Sequence, residues 1–186
     1  MDVAIVYESM FGNTKAIAEA IGAGVRESEP RALVEVMAVS DATPDKIAAA
    51  DLLVAGGPTH ILRMSSEHTR QQGDEAGEKT AKSKGTEPHL EPGAQGPGIR
   101  EWLESLPKCR PGSLAASFDT RLAYPLAGGA AKPIARQLRQ RGYRIAGGAT
   151  GFVVTGAEGP LREGEQERAR VWGAALAAVL AGRSTV

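Results

Sequence analysis

Short apolar runs alternate along the chain with longer segments of helical periodicity, and this alternation limits the fold more than any other feature. The first run, Val3 to Tyr7, carries no charge, which is typical of a strand buried on both faces. We predict four further strands, at 33–39, 51–57, 114–118 and within 144–154. Because helical patterns separate the strands, the sequence predicts an α/β fold, a doubly wound parallel sheet of five strands in three layers, α/β/α.

Helical patterns follow most of the strands. The first places three apolar residues on one face: Ile17, Ile21 and Val25. Further helices are predicted at 41–50, 99–106, 130–141 and 161–181, with Pro160 expected to start the last. An apolar stripe should bury this last helix, formed by Trp172, Leu176, Val179 and Leu180.

A long polar excursion interrupts the pattern at about 65–98. Leu90 is its single large aliphatic or aromatic residue, so the segment cannot bury enough apolar area to fold by itself. It is also too long for an ordinary loop between a strand and a helix. We expect a lid, a partner-binding excursion or a partly disordered segment within one domain that spans residues 1–186.

Charge and cysteine content exclude several classes of protein. The chain has 22 basic and 22 acidic residues, and this balance argues against binding to nucleic acid or to a membrane surface. One cysteine, Cys109, excludes an internal disulfide framework and a cysteine-based zinc site. The chain start has no signal-peptide pattern, and its apolar stretches are too short to cross a bilayer. We therefore expect a cytoplasmic protein, as a monomer or a dimer.

The strongest local motif lies between the first strand and the first helix and reads Ser9-Met10-Phe11-Gly12-Asn13-Thr14. A helix N-terminus directs unpaired N–H groups and a favourable dipole towards an anion. Ser9, Asn13 and Thr14 add side-chain donors, while Gly12 allows close approach. The loop has no lysine and fits neither the P-loop nor the G-x-G-x-x-G pattern. It favours a phosphomonoester, and the alternative is an ordinary helix cap.

The segment VYESMFGNTKAIAEAI resembles the phosphate-binding opening of the flavodoxin family. Two later segments, Ala55 to His60 and Ser117 to Arg121, are similar to the loops that this family places beside the flavin ring. The resemblance spans nearly the whole chain. The richness in Ala, Gly and Arg is similar to that of small flavodoxin-like proteins from high-GC bacteria.

This resemblance implies the strand order 2-1-3-4-5 and FMN as the cofactor. The phosphate would lie against Ser9, Met10, Phe11, Gly12, Asn13 and Thr14. One side of the isoalloxazine ring would be lined by Pro58, Thr59, His60, Ile61, Leu62 and Arg63. The other side would be lined by Phe118, Asp119, Thr120, Arg121 and Tyr124.

The ring loops differ from those of acidic flavodoxins because they offer the basic residues His60, Arg63 and Arg121. A nearby cation favours the anionic reduced flavin, so we expect a second one-electron potential less negative than in acidic flavodoxins. His60 is either a proton relay or a solvated turn residue, and Arg121 either pairs with a carboxylate or lies at the flavin edge. The glycine-rich loop at 155–161 is interpreted as a tight connection.

Three functions stay open at this point. The first is an FMN-binding electron-transfer protein, which needs a redox partner protein, a reductase or an oxidase, but no catalytic residues or metal. The second is an FMN-dependent oxidoreductase that passes hydride from NAD(P)H to a small quinone-like acceptor. The third is a binding or regulatory module that keeps the fold without flavin. The excursion should separate the first two, because an ordered wall over the ring would favour the enzyme.

Overall fold

A computed structural model describes residues 1–60, 63–64, 91, 97–123, 128–156 and 158–182. The strands are β1 (Asp2–Tyr7), β2 (Leu33–Ala38), β3 (Leu52–His60), β4 (Arg63–Met64), β5 (Leu114–Leu122) and β6 (Arg144–Val154). The helices are α1 (Asn13–Ser28), α2 (Pro44–Ala48), α3 (Ile99–Ser105), α4 (Ala131–Gln140) and α5 (Glu165–Ala181). A short 3-10 turn, Val39–Asp41, precedes α2.

Within these described residues, five strands run parallel in the order β2-β1-β3-β5-β6. The two-residue strand β4 pairs with β3 in the antiparallel sense and lies off this path. When the parallel strands are counted alone, their order is 2-1-3-4-5. The predicted doubly wound α/β fold is therefore confirmed.

Helices cover both faces of the sheet and form two apolar clusters with it. On one face α1 and α5 pack against inward side chains of the sheet, including Ile5, Val54 and Phe118. On the other face α2, α3 and α4 bury residues such as Leu53, Trp102 and Ile134. Each fully buried side chain of this size contributes about 1.5–3 kcal/mol relative to an exposed one. No helix among the described residues is long and apolar enough to cross a membrane.

Helices α1 and α5 cross at two glycines that let their backbones touch. A Cβ on Gly24 would overlap the backbone carbonyl of Arg170, and a Cβ on Gly173 would overlap the carbonyl of Ile21. Any side chain at either position would push the two helices apart. This close approach fixes α1, whose N-terminus carries the predicted phosphate loop.

Two central strands are longer than predicted, because β3 continues past Gly56 to His60 and β5 continues past Phe118 to Leu122. Gly56 fits inside a strand because the Phe118 ring fills the space where its side chain would lie. Pro58 is tolerated because β1 has already ended there, so Pro58 pairs only with Thr120 of β5. The two predicted ring loops are therefore largely strand ends.

The last helix begins at Glu165 and not at Pro160, which corrects the predicted start. The chain first returns along β6, where Leu161 forms an antiparallel bridge with Val154. The predicted stripe is also partly wrong, since Val179 is 47% exposed. The buried positions follow a narrower stripe of small and aliphatic residues that includes Ala169, Gly173, Leu176, Ala177 and Leu180.

Candidate functional site

A cleft of about 260 Å³ opens at the carboxyl edge of the sheet, between the N-terminus of α1 and the ends of β3 and β5. It is lined by Ser9, Met10, Phe11, Asn13, Thr14, Pro58, Thr59, Thr120, Arg121, Leu122 and Val154. The structure thus brings the predicted phosphate loop together with residues of both predicted ring segments. Leu122 and Val154 were not predicted, because they follow from the extension of β5 and from the position of β6.

The loop before α1 has the geometry of an anion site. Gly12 is the residue before the helix and adopts a left-handed conformation, with φ 83°. The first helical hydrogen bond runs from the Ala16 N–H to the Gly12 carbonyl, at 2.9 Å. The N–H groups of the first helical turn therefore have no acceptor within the helix and point into the loop.

Two hydroxyl groups lie deep in this loop. The side-chain oxygen of Ser9 is buried and has no hydrogen-bond partner among the described residues, and Ser9 itself is only 8% exposed. The Thr14 hydroxyl lies 2.8 Å from the Thr120 hydroxyl of β5, and both side chains are buried. If Thr120 donates in this pair, the Thr14 proton is available to an anion in the loop.

The predicted tight connection after β6 also contacts the phosphate loop. The side-chain amide of Asn13 donates a 2.9 Å hydrogen bond to the backbone carbonyl of Glu158. A Cβ on Gly159 would lie 2.5 Å from the same Asn13 nitrogen, so only glycine leaves room for this contact. Asn13 therefore braces the loop with one of its two amide N–H groups. No sequence signal pairs these two distant segments.

A carboxylate from the polar excursion lies against the phosphate loop. The Glu91 N–H donates to the Met10 carbonyl at 2.9 Å, and Glu91 Oε2 lies 3.0 Å from the Lys15 ammonium. Its other carboxylate oxygen would lie 3.1 Å from a Cβ built on Gly12. The hydrogen bond from Lys15 to Glu91 raises the pKa of Lys15. A negative charge thus lies on the outer face of the predicted phosphate loop.

The ring side of the cleft is formed by the ends of β3 and β5. Pro58 and Thr59 lie on one side, and the Thr59 hydroxyl accepts a 3.0 Å hydrogen bond from the Ala130 N–H. Arg121 lies on the other side, with its side chain 38% exposed. Thr120 was predicted beside the ring, but its hydroxyl pairs with Thr14 of the predicted phosphate loop.

Phe118 and Asp119 do not line the cleft, which corrects their predicted place. Phe118 is fully buried and packs edge-on against Phe152, with ring centroids 6.3 Å apart. Asp119 is also fully buried, and its Oδ2 accepts a 2.8 Å hydrogen bond from the Ala131 N–H at the start of α4. Burial raises the pKa of Asp119 despite this bond and the nearby Arg121 guanidinium. The Asp119 side chain therefore lies behind the wall of the cleft.

For five of the residues predicted beside the ring, the structure describes either the backbone alone or nothing. Ile61, Leu62 and Tyr124 fall outside the described residues, as does most of the excursion at 65–98. His60 and Arg63 are placed only as backbone, paired across β3 and β4. Their roles stay predictions. Within the described ranges, no group of three His, Cys, Asp or Glu side chains could hold a metal ion.

The Flavodoxin family model matches residues 5–84, which include the phosphate loop and the whole of β3. This match covers less than half of the chain and shows that this part is similar to the flavodoxin family. Flavodoxin-family proteins bind FMN and transfer electrons to redox partner proteins. The match supports FMN as the expected cofactor and electron transfer as the expected class of function. A search of curated proteins finds no match to this chain.

Solved flavodoxin structures share the fold over almost the full chain. A flavodoxin from the domain Archaea is 22% identical, with a TM-score of 0.65 over 97% of this chain and 99% of its own. Flavodoxin 1 from Bacillus cereus is 18% identical, with a TM-score of 0.61 over 96% of this chain and 98% of its own. The flavodoxin of Megasphaera elsdenii is 22% identical, with a TM-score of 0.58 over 92% of this chain and 98% of its own. At these identities the likeness establishes a common fold.

Proposed function

We propose that this protein is an electron carrier that holds FMN in the cleft between α1 and the ends of β3 and β5. The phosphate would lie in the loop from Ser9 to Thr14, and the isoalloxazine ring would lie between Pro58–Thr59 and Arg121. When bound, FMN supplies the redox chemistry, because it accepts and donates electrons one or two at a time. The protein's own residues bind it, orient it and restrict its contact with water.

The observation that carries the proposal is the buried hydroxyl of Ser9. A buried polar group without a partner costs about 1–3 kcal/mol, so such groups in native proteins usually serve a ligand or another function. Ser9 lies in the loop before α1, beside N–H groups that also lack an acceptor within the helix. An ionised phosphate accepts hydrogen bonds from all of these donors at once. The residues of the loop therefore fit FMN.

The direct test compares ligands that differ by the phosphate alone. We would titrate cofactor-free protein with FMN and with riboflavin and follow the quenching of flavin fluorescence. The proposal expects much tighter binding of FMN than of riboflavin. Equal affinities would place the phosphate outside the loop. Failure of both ligands to bind would favour the flavin-free module.

A matched pair of serine variants tests the placement of the phosphate. Ser9→Ala removes a charge-assisted hydrogen bond and should weaken FMN binding by about 1.5–3 kcal/mol, with little effect on riboflavin. Ser117→Ala is the control, because the Ser117 hydroxyl is equally buried and also lacks a partner among the described residues, but it lies outside the cleft. Equal losses in both variants would contradict the assignment.

Electron carriage and enzymatic turnover are separated by steady-state kinetics. We expect the FMN-loaded protein to exchange electrons with a redox partner protein, a reductase or an oxidase. We also expect it to oxidise NADH or NADPH in the presence of a quinone no faster than free FMN. Faster turnover would instead support the NAD(P)H:quinone oxidoreductase. A cytoplasmic location is part of the proposal and is tested by cell fractionation.

A further inference from the structure

The Arg121 side chain is held in one place at the rim of the cleft. Its Nη1 donates a 3.2 Å hydrogen bond to the Gly128 carbonyl, and its Nε lies 3.6 Å from Asp119 Oδ1. The side chain is still 38% exposed and lines the cleft beside Leu122. A surface arginine normally samples many rotamers, whereas two anchors restrict this one.

Two glycines make the space that the guanidinium occupies. A Cβ on Gly151 of β6 would lie 2.5 Å from Arg121 Nε and closer still to its Cζ and Nη2. A Cβ on Gly129 would lie 2.7 Å from Arg121 Nη1. Neither glycine has a left-handed φ, so both positions are glycine for reasons of space and not of backbone torsion.

Asp119 supports the guanidinium from inside the protein. One carboxylate oxygen is committed to the Ala131 N–H, and the other, Oδ1, faces Arg121 without a hydrogen-bond partner among the described residues. The carboxylate is fully buried and the guanidinium is partly exposed, so the ion pair has a fixed direction, from the core to the cleft. Its negative end lies in the core and its positive end lies at the cleft.

We propose that Asp119 and Arg121 form an oriented charge pair that sets how strongly the cleft prefers reduced over oxidised FMN. This inference rests on the proposed function. Two electrons from a redox partner protein and one proton from solvent give the reduced flavin a single negative charge. A guanidinium at the rim attracts that charge, while the carboxylate behind it weakens the attraction. Asp119 is in this sense a positioning residue, because it acts through Arg121.

The two residues should have opposite effects when each is replaced. Asp119→Asn keeps a side-chain oxygen for the Ala131 N–H but leaves the guanidinium uncompensated, so reduced FMN should bind more tightly relative to oxidised FMN. Arg121→Gln leaves a buried carboxylate beside the cleft, so reduced FMN should bind more weakly. We expect about a tenfold change in each direction. A tenfold change in this ratio corresponds to about 30 mV in the two-electron potential.

The glycine next to Arg121 gives a test that changes no charge. Gly151→Ala should displace the guanidinium and shift the potential in the same direction as Arg121→Gln. When Gly151→Ala is combined with Arg121→Gln, it should shift the potential no further, because the guanidinium that it displaces is absent. Gly182→Ala is the control, since its Cβ would meet only an ordinary contact, 3.5 Å from the Ala178 carbonyl.

The experiment measures the dissociation constant of oxidised FMN and the reduction potentials for each variant. Shifts of opposite sign for Asp119→Asn and Arg121→Gln, with Arg121→Lys close to the native protein, would support the inference. Shifts of the same sign, or none, would overturn it while FMN binding and the proposed function stand. Loss of FMN binding in the native protein would overturn both. If Asp119→Asn does not fold, the Arg121 and Gly151 variants decide the question.

Discussion

Replacing Thr14 by valine separates two roles that the structure gives to one hydroxyl. The Thr14 and Thr120 hydroxyls lie 2.8 Å apart, and the residues are 2% and 4% exposed. Without a ligand, each hydroxyl satisfies the other. With FMN bound, the Thr14 hydroxyl is also expected to donate to the phosphate. The single variants Thr14→Val and Thr120→Val and the double variant distinguish these roles.

For the cofactor-free proteins, we expect both single variants to have a lower free energy of unfolding than the native protein and the double variant. Each single variant leaves a buried hydroxyl without its partner, which costs about 1–3 kcal/mol. The double variant removes both hydroxyls and keeps the shape, so its stability should return close to the native value. Urea unfolding of the three variants measures the coupling between the two residues.

FMN affinity should follow a different order. Thr14→Val and the double variant lose a hydrogen bond to a charged group, about 1.5–3 kcal/mol, or about 10- to 150-fold in the dissociation constant. Thr120→Val keeps the Thr14 hydroxyl and should bind FMN almost as the native protein does. Riboflavin is the control, because it has no phosphate. Equal losses for Thr14→Val and Thr120→Val, or a loss that riboflavin shares, would refute this reasoning.

Three further variants test other contacts. Glu91→Gln removes a negative charge beside the phosphate loop and frees Lys15, so FMN should bind more tightly in a titration while riboflavin binding stays unchanged. Gly173→Ala forces α1 and α5 apart and should lower the free energy of unfolding by about 1–3 kcal/mol, against no such loss for Gly182→Ala. Hydrogen bonds from Arg168, Arg162 and the Val153 N–H lower the pKa of Glu165, although burial opposes them. Its ionised form therefore stabilises the fold above the unfolded pKa, so the deficit of Glu165→Gln, about 1–2 kcal/mol at pH 7, should shrink as the pH falls below about 4.5. A deficit that is constant with pH would contradict this linkage.

The position of the loop before α1 was predictable because all of its determinants are local. A buried strand, a short hydroxyl-rich loop and a helix follow each other directly, and the sheet order then fixes where the loop lies. The ends of β3 and β5 were misjudged because glycine and proline usually interrupt strands. Gly56 belongs in the sheet only because the Phe118 ring of a neighbouring strand fills its empty side. That information is spread over two distant segments.

The contacts around the cleft were not visible in the sequence for the same reason. Asp119 and Arg121 were both assigned to the ring. As residues i and i+2 of β5 they share one face of the sheet, but Asp119 is buried against the start of α4 whereas Arg121 lies further along the strand, at the rim. Glu91 lies in the excursion, where no periodic pattern predicts a contact with Lys15. Tertiary packing determines where these side chains lie, and a single sequence does not contain that packing in a readable form.

The glycine crossing of α1 and α5 has a consequence for how the protein is made. The phosphate loop is synthesised early, whereas α5, at Glu165–Ala181, is among the last described elements to leave the ribosome. Until α5 emerges, α1 lacks the helix–helix backbone contacts at Gly24 and Gly173. We therefore expect cofactor loading to be a late step of biogenesis, so that ribosome-stalled chains ending before α5 retain no FMN. Contacts of such high sequence separation also form slowly, which leaves the apolar face of α1 exposed during synthesis.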